Sequence, residues 1–290
     1  MNDIQANTVA VALVQAADRL KAAGAQTPEL DARVLLCHAT GRDYAWVIAN
    51  GEVEIGPAAR DGFAEMLARR ERREPVSQIV AAREFWSRDF RVTPDVLTPR
   101  PDTETLVETV LSRIEDWDAP LHMLDLGTGS GCLLLTLLAE CPNATGLGID
   151  ASPEALEVAA SNAVALGLDM RVAWLEGDWC DGLDGNFDVI VSNPPYIARH
   201  ELRHLEPEVR DYEPRLALDG GADGFAAYRR IVPALRRLGT GASVIALELG
   251  QGQAHGVAAL GRVAGLRIAD VDQDINRRAR VITFEPASNG

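Results

Sequence analysis

Cysteine is scarce in this 290-residue chain: Cys37, Cys132, Cys141 and Cys180 are all there are, and no two form a C-x-x-C pair. That excludes a disulfide framework and paired-cysteine metal sites, and it reads as reduced, mostly buried thiols. Long apolar runs are missing too. The longest, "CLLLTLLA", falls far short of the ~20 residues a membrane span needs. The start, "MNDIQANTVAVALVQAADRL", lacks the basic region and compact apolar stretch of a leader peptide. Internal repeats and low-complexity tracts are absent. These absences predict a soluble, cytoplasmic, non-membrane protein.

Positive charge is in deficit: 28 basic residues stand against 43 acidic ones, a formal net charge of −15. An acidic surface repels phosphate backbones, so no direct nucleic-acid partner is expected. The length suits two domains, or one large domain with an extension. Residues 1–75 carry helical periodicity, with Leu13, Ala16, Ala17 and Leu20 on one face and Ala32, Leu35, Leu36 and Ala39 on another. Phe63, Met66, Leu67 and Arg70 continue the pattern into "ARRERRE", read as a solvated helix face. From residue 76 to 98 the period changes, and "REFWSRDFRV" reads as a hairpin linker. Residues 99–290 alternate short apolar strands with helices, which predicts an α/β domain built on a mostly parallel sheet.

Two signatures stand side by side in "SNPPYIARHELRH", Ser192 to His204. His200, Glu201 and His204 satisfy the H-E-x-x-H pattern of zinc peptidases, which requires a helix and a third ligand. Metzincins would need glycine at 207 and histidine at 210, where this chain has Pro207 and Arg210. Gluzincins place a glutamate some twenty residues on, where "GGADG" offers none. No metal is expected, and the segment reads as a charged turn in a loop over the site.

Asn193-Pro194-Pro195-Tyr196 follows the apolar strand "FDVIVS". Two prolines fix φ and remove two backbone donors, leaving an acceptor-rich rim of the Asn193 side-chain oxygen and the Pro194 carbonyl. A substrate NH2 held there donates both hydrogens in fixed directions, with its nitrogen aimed at an electrophile. Tyr196 offers a face for a planar group. Upstream, "DLGTGSG" (Asp125 to Gly131) closes a strand and opens a helix, the place where open α/β sheets bind ligands. Asp150 ends the next strand and suits a ribose. In "GDW", Asp178 and Trp179 suit an adenine. The glycine spacing is G-x-G-x-G, so an NAD-dependent enzyme is the competing reading of this site.

With "TPRPDTE" (Thr98 to Glu104) and "EPRLALDGGADGFAAYRRI" (Glu213 to Ile231) added to that set, the chain resembles the S-adenosylmethionine-dependent methyltransferases, specifically the release factor glutamine methyltransferase family. The resemblance spans essentially the whole chain. It implies a seven-stranded class I, Rossmann-like methyltransferase sheet with a small helical N-terminal substrate-docking domain. It implies that Gly127, Thr128, Gly129, Ser130, Gly131, Asp150, Asp178, Trp179 and Asn193 contact S-adenosylmethionine. Asn193 and Pro194 would be catalytic, and Asn193, Pro194, Pro195 and Tyr196 would hold the glutamine amide of a peptide chain release factor, in its GGQ motif. The family usually has Glu where this chain has Asp102, a conservative departure. Adenine-specific DNA methyltransferases share the Asn-Pro-Pro-Tyr device, and ribosomal-protein glutamine methyltransferases are close relatives. A non-enzymatic cofactor-binding module is the reading from another class, disfavoured because the rim would then have no purpose. A monomer is expected.

Overall fold

The computed structural model describes residues 8–286. The first residues of the leader reading and of the 1–75 domain, and the last four of the 99–290 domain, lie outside the described residues. The chain forms two compact units: one runs through Ala81 and includes Glu206–Tyr212, and the other comprises Ala82–Leu205 and Glu213 onward.

The first unit is helical, with α1 (Val9–Ala22), α2 (Pro28–Thr40), α3 (Tyr44–Ala49), α4 (Pro57–Glu71) and α5 (Val76–Ile79). The apolar stripes read from the sequence meet in one core, where Leu20, Leu35, Leu36, Phe63 and Leu67 are fully buried. Each such side chain contributes about 1.5–3 kcal/mol. Pro28 starts α2, and Gly41 ends it in the left-handed region at φ 63°. The basic run at the end of α4 is not the solvated face expected. Arg70 is 5% exposed, and its Nε donates to Asp31 Oδ2 at 2.7 Å. Its Nη2 donates to Glu208 Oε1 at 2.8 Å, and Arg73 Nη2 reaches Glu208 Oε2 at 2.5 Å. Burial of these cations is tolerated because carboxylates from distant sequence neutralise them.

The second unit opens with a hairpin, β1 (Ala82–Phe85) and β2 (Arg88–Arg91), turned by Trp86 and Ser87 at φ 51° and 57°. After α6 (Glu104–Leu111) come β3 (His122–Leu126), α7 (Cys132–Glu140), β4 (Thr145–Asp150), α8 (Pro153–Ala165), β5 (Val172–Glu176) and β6 (Phe187–Ser192). The short helix α9 (Pro207–Arg210) follows β6 in sequence but belongs to the first unit. Then come α10 (Ala226–Leu238), β7 (Gly239–Glu248), α11 (Ala254–Val263), β8 (Leu266–Gln273) and β9 (Ala279–Pro286). Ser152 caps α8 as expected, accepting from the Ala155 N–H at 3.1 Å. Pro233 sits inside α10, on its exposed side.

Seven strands form one sheet in the order β5-β4-β3-β6-β7-β9-β8, so the α/β fold class expected is the one observed. The first five pair in parallel, and β9 pairs antiparallel with both β7 and β8. Strand alternation splits the core between the two faces. Met123, Val189, Val191 and Ala246 pack with α6 and α7 residues on one face; Leu124, Leu126, Ile190, Ile245 and Leu247 pack with α10 and α11 residues on the other. The strand order reverses direction between β3 and β6, which are hydrogen-bonded neighbours. A reversal of this kind opens a crevice at the carboxyl ends of the strands, where open α/β sheets bind ligands.

Candidate active site

Residues leaving the carboxyl ends of β3, β4 and β6 build one cavity of about 440 Å3 within the second unit. Gly127, Thr128, Gly129, Ser130, Asp150, Asp178, Trp179, Asn193 and Pro195 line it; Gly131, Pro194 and Tyr196 do not. That volume suits a small-molecule cofactor.

The glycine loop is pinned to β4. Gly127 and Thr128 N–H groups both donate to the Ile149 carbonyl, at 2.8 and 2.9 Å, and the Gly129 N–H donates to Asp150 Oδ2 at 2.8 Å. Asp150 Oδ1 accepts from the Ser152 N–H at 3.0 Å. Its carboxylate is therefore held rigidly at the cavity wall with lone pairs to spare for a diol. Gly127 adopts φ 74°, and a Cβ there would stand 3.0 Å from the Trp179 ring. Trp179 itself lies at φ 59°, a left-handed conformation that strains a residue carrying Cβ. Asp178 Oδ2 accepts from Arg230 Nη2 at 3.0 Å, which places a guanidinium at the same wall. Beneath the loop, Asp125 accepts from Thr128 Oγ1 at 2.7 Å. Burial pushes its carboxyl up to about 7, against the Thr128 hydrogen bond, with the Asp150 charge adding to the rise.

The Asn-Pro-Pro-Tyr stretch leaves β6 beside the glycine loop, because β6 is the neighbour of β3. Ser192 Oγ, fully buried, donates to the Leu126 carbonyl at 2.6 Å and ties the two strand ends together. Asn193 Nδ2 donates to Thr103 Oγ1 at 3.1 Å. Its amino group is therefore engaged, and Oδ1 is the end of the amide left to accept from a ligand. Tyr196 turns into the fold, where its hydroxyl lies 3.3 Å from Glu248 Oε1. Its backbone carbonyl accepts from Gln253 Nε2 at 3.0 Å. Gly224, at φ 80°, packs so close that a Cβ there would lie 2.5 Å from the Tyr196 carbonyl oxygen. The "LDGGADGF" segment is thus the floor of the Asn-Pro-Pro-Tyr turn.

His200, Glu201 and His204 lie on an exposed turn whose only helical part is the 3-10 segment Leu202–His204. Two histidines four residues apart need a full α-helical turn to share a face, and this segment has none. Glu201 Oε2 instead accepts from the Ala198 N–H at 3.2 Å, and His204 Nε2 accepts from Arg203 Nε at 3.0 Å. Among the described residues, no cluster of three His, Cys, Asp or Glu side chains is placed to hold a metal.

Thr103, Glu248, Gln253 and Gly224 were not singled out as site residues by the sequence reading. One signal was available. Glu248 is a carboxylate inside the apolar stretch "VIALEL", and such a residue rarely enters a core without a partner.

Residues 11–80 match the family described as PrmC N-terminal domain, and residues 101–208 match the methyltransferase small domain. Among solved structures, a methyltransferase from Pyrococcus furiosus superposes with TM-score 0.53 at 16% identity, covering 76% of this chain and 98% of that one. The hMettl16 catalytic domain gives TM-score 0.56 at 13% identity, covering 78% and 83%. At those identities the likeness concerns the fold alone. Sequence relatives carry more. The release factor glutamine methyltransferase of Caulobacter vibrioides is 46% identical over 95% of this chain and 95% of its own length. That of Rhodospirillum rubrum is 46% identical over 91% of this chain and 81% of its own length. Agreement at this level through both units, not only through the widespread sheet, places the chain in the release factor glutamine methyltransferase family of S-adenosylmethionine-dependent enzymes.

Proposed function

We propose that this protein transfers a methyl group from S-adenosylmethionine to the side-chain amide nitrogen of a glutamine in a peptide chain release factor. The observation that carries the reading is the Asn193 amide. Its Nδ2 is spent on Thr103, so Oδ1 is presented as an acceptor at a cavity that also holds the glycine loop and Asp150.

The residues present fit the cofactor. Asp150 would accept from ribose hydroxyls, the Gly127–Gly131 loop admits close approach of the chain bearing the amino acid, and Asp178 with Trp179 would flank the adenine. When bound, S-adenosylmethionine supplies an electrophilic sulfonium methyl group. Asn193 Oδ1 and the Pro194 carbonyl each accept one hydrogen of the glutamine NH2. Those two bonds fix the direction of the nitrogen and raise its electron density, offsetting delocalisation of the lone pair into the amide carbonyl. The bound cofactor would supply its methyl group to that nitrogen and leave as a neutral thioether. The N-methylated amide cation is strongly acidic and gives its proton to water, so no strong base is required beforehand. The protein's contribution is orientation and electrostatics.

Residues 1–75 would serve as the docking domain for the release factor, with 76–98 as linker and 99–290 as the catalytic domain. The enzyme acts as a monomer in the cytoplasm. Among the described residues, no helix is long and apolar enough to cross a membrane.

The deciding experiment incubates the protein with methyl-labelled cofactor and, in separate arms, a release factor, a ribosomal protein and adenine-containing DNA. Label in the release factor, lost when its GGQ glutamine is replaced, is the expected result. Label confined to DNA or ribosomal protein overturns the reading. Asn193→Ala should bind the cofactor within about threefold of wild type yet lose ~100-fold or more in kcat; normal turnover by that variant removes the role given to Asn193.

A further inference from the structure

Gln253, the residue before α11, is half-buried at the end of the loop that leaves β7. Its side-chain amide makes three hydrogen bonds, each to a different stretch of chain. Nε2 donates to the Tyr196 carbonyl at 3.0 Å and to the Gly224 carbonyl at 3.1 Å, and Oε1 accepts from the Gly250 N–H at 3.1 Å. A primary amide has two N–H hydrogens, so both are spent. The Gln253 backbone N–H closes the loop a second time, on the Gly250 carbonyl at 3.1 Å. Two glycines clear the space that the amide occupies. A Cβ on Gly250 would lie 2.6 Å from Gln253 Oε1 and 2.9 Å from the Tyr196 ring, and one on Gly224 would lie 2.6 Å from Gln253 Nε2.

These partners fix which way the amide points. Turned over, it would set its oxygen against two carbonyl oxygens and its NH2 against an N–H. The same count explains why the position suits glutamine: a glutamate of equal length, once ionised, has no hydrogen to donate.

The Asn-Pro-Pro-Tyr stretch needs support of this kind. Pro194 and Pro195 have no N–H by which to be tied down, and both hold φ fixed, so the stretch is stiff between its ends. The upstream end is fastened where Ser192 Oγ donates to the Leu126 carbonyl at 2.6 Å. The downstream end is fastened by Gln253 at Tyr196 and by the Ile197 N–H, which donates to the Leu218 carbonyl at 3.2 Å. A stiff segment absorbs little of a displacement at one end. Movement of the Tyr196 carbonyl is therefore passed back to Pro194 and Asn193.

We propose that Gln253 is a positioning residue for methyl transfer: by holding the Tyr196 and Gly224 carbonyls together, it sets where the Asn193 and Pro194 acceptors stand. The proposal rests on the reading of those two groups as the substrate acceptors. Gln253 does not itself line the cavity, so it acts through the turn and not on a ligand.

The test measures kcat, KM for the release factor, cofactor affinity and melting temperature for Gln253→Glu, Gln253→Met and Asn193→Ala, with rates taken where each variant is fully folded. Gln253→Glu keeps the shape and removes both donors; Gln253→Met keeps the length and removes all three hydrogen bonds. Each is expected to lose about tenfold or more in kcat, with KM and cofactor affinity close to wild type. A residue that only stabilised the fold would lower the melting temperature and leave kcat of the folded enzyme unchanged. Wild-type kcat in both Gln253 variants, or a loss confined to KM or to cofactor affinity, overturns the proposal. If Gln253→Glu does not fold, Gln253→Met decides alone. An active Asn193→Ala defeats the acceptor reading itself; an inactive Asn193→Ala beside fully active Gln253 variants defeats only the role given to Gln253.

Discussion

The Ser192 hydroxyl and the Leu126 carbonyl, 66 residues apart in sequence, are joined by a buried 2.6 Å hydrogen bond. It fastens the last residue of β6 to the last residue of β3, at the place where the strand order reverses. The glycine loop begins at the next residue after Leu126, and Asn193 is the next after Ser192. The bond therefore holds the two halves of the site in mutual register.

Replacing Ser192 by alanine leaves the Leu126 carbonyl buried without this partner. We expect a stability loss of about 1–3 kcal/mol and a fall in kcat, because both loops that line the cavity lose their common anchor. Urea denaturation and steady-state kinetics on the same preparation check this. A variant as stable and as fast as wild type would show the bond to be incidental.

Asp150→Ala should act on the cofactor and not on the amide. A lost pair of hydrogen bonds to a charged group corresponds to about 1.5–3 kcal/mol, or roughly 10–100-fold in affinity for S-adenosylmethionine. Titration calorimetry measures the affinity. At saturating cofactor, the rate should return most of the way to wild type; an unrecovered rate would assign Asp150 a further role.

Gly224→Ala forces a Cβ to 2.5 Å from the Tyr196 carbonyl oxygen at a backbone φ of 80°. The left-handed conformation alone costs about 1–2 kcal/mol for a residue with Cβ. Displacing the Asn-Pro-Pro-Tyr turn by even 1 Å can remove ~100-fold in rate. The expected pattern is a lower kcat with cofactor affinity retained, since the glycine loop lies on other strands. Unchanged kcat would mean that the turn does not depend on its floor.

Within the helical unit, Arg70 lies between Asp31 and Glu208. Arg70→Met removes the cation from buried Asp31 and half-buried Glu208 and should destabilise the protein by about 3–5 kcal/mol. Burial on its own would raise the Glu208 carboxyl, but hydrogen bonds from Arg73, its own backbone and Arg70 outweigh it and hold the group below its ordinary 4.5. A folded value below the unfolded one stabilises the fold above that ordinary value and withdraws the stabilisation as pH falls through the lowered one. Glu208→Gln should therefore flatten the loss of stability below about pH 5, measurable by chemical denaturation across a pH series.

Much of the site was legible before folding. "DLGTGSG", Asp150 and Asn193-Pro194 each follow a short apolar strand, and parallel α/β sheets deliver such residues to one edge. Their meeting needed only the alternation of strands and helices. Thr103 and Glu248 were not legible, because Thr103 lies 90 residues before Asn193 and Glu248 lies 52 residues beyond Tyr196. Hydrogen-bond direction between such positions has no periodicity to read. The burial of Arg70 in "ARRERRE" is illegible for the same reason: its neutralising carboxylates are Asp31, 39 residues before it, and Glu208, 138 residues beyond it.

The sequence by itself determined the mostly parallel sheet, the helical first unit and the glycine turn, because period, turn chemistry and local sterics act over a few residues. Only the tertiary structure decided that β6 lies against β3, that α9 joins the helical unit and that Thr103 turns the Asn193 amide one way. Those are contacts between residues far apart in the chain, selected by how the two sheet faces and the buried charges pack.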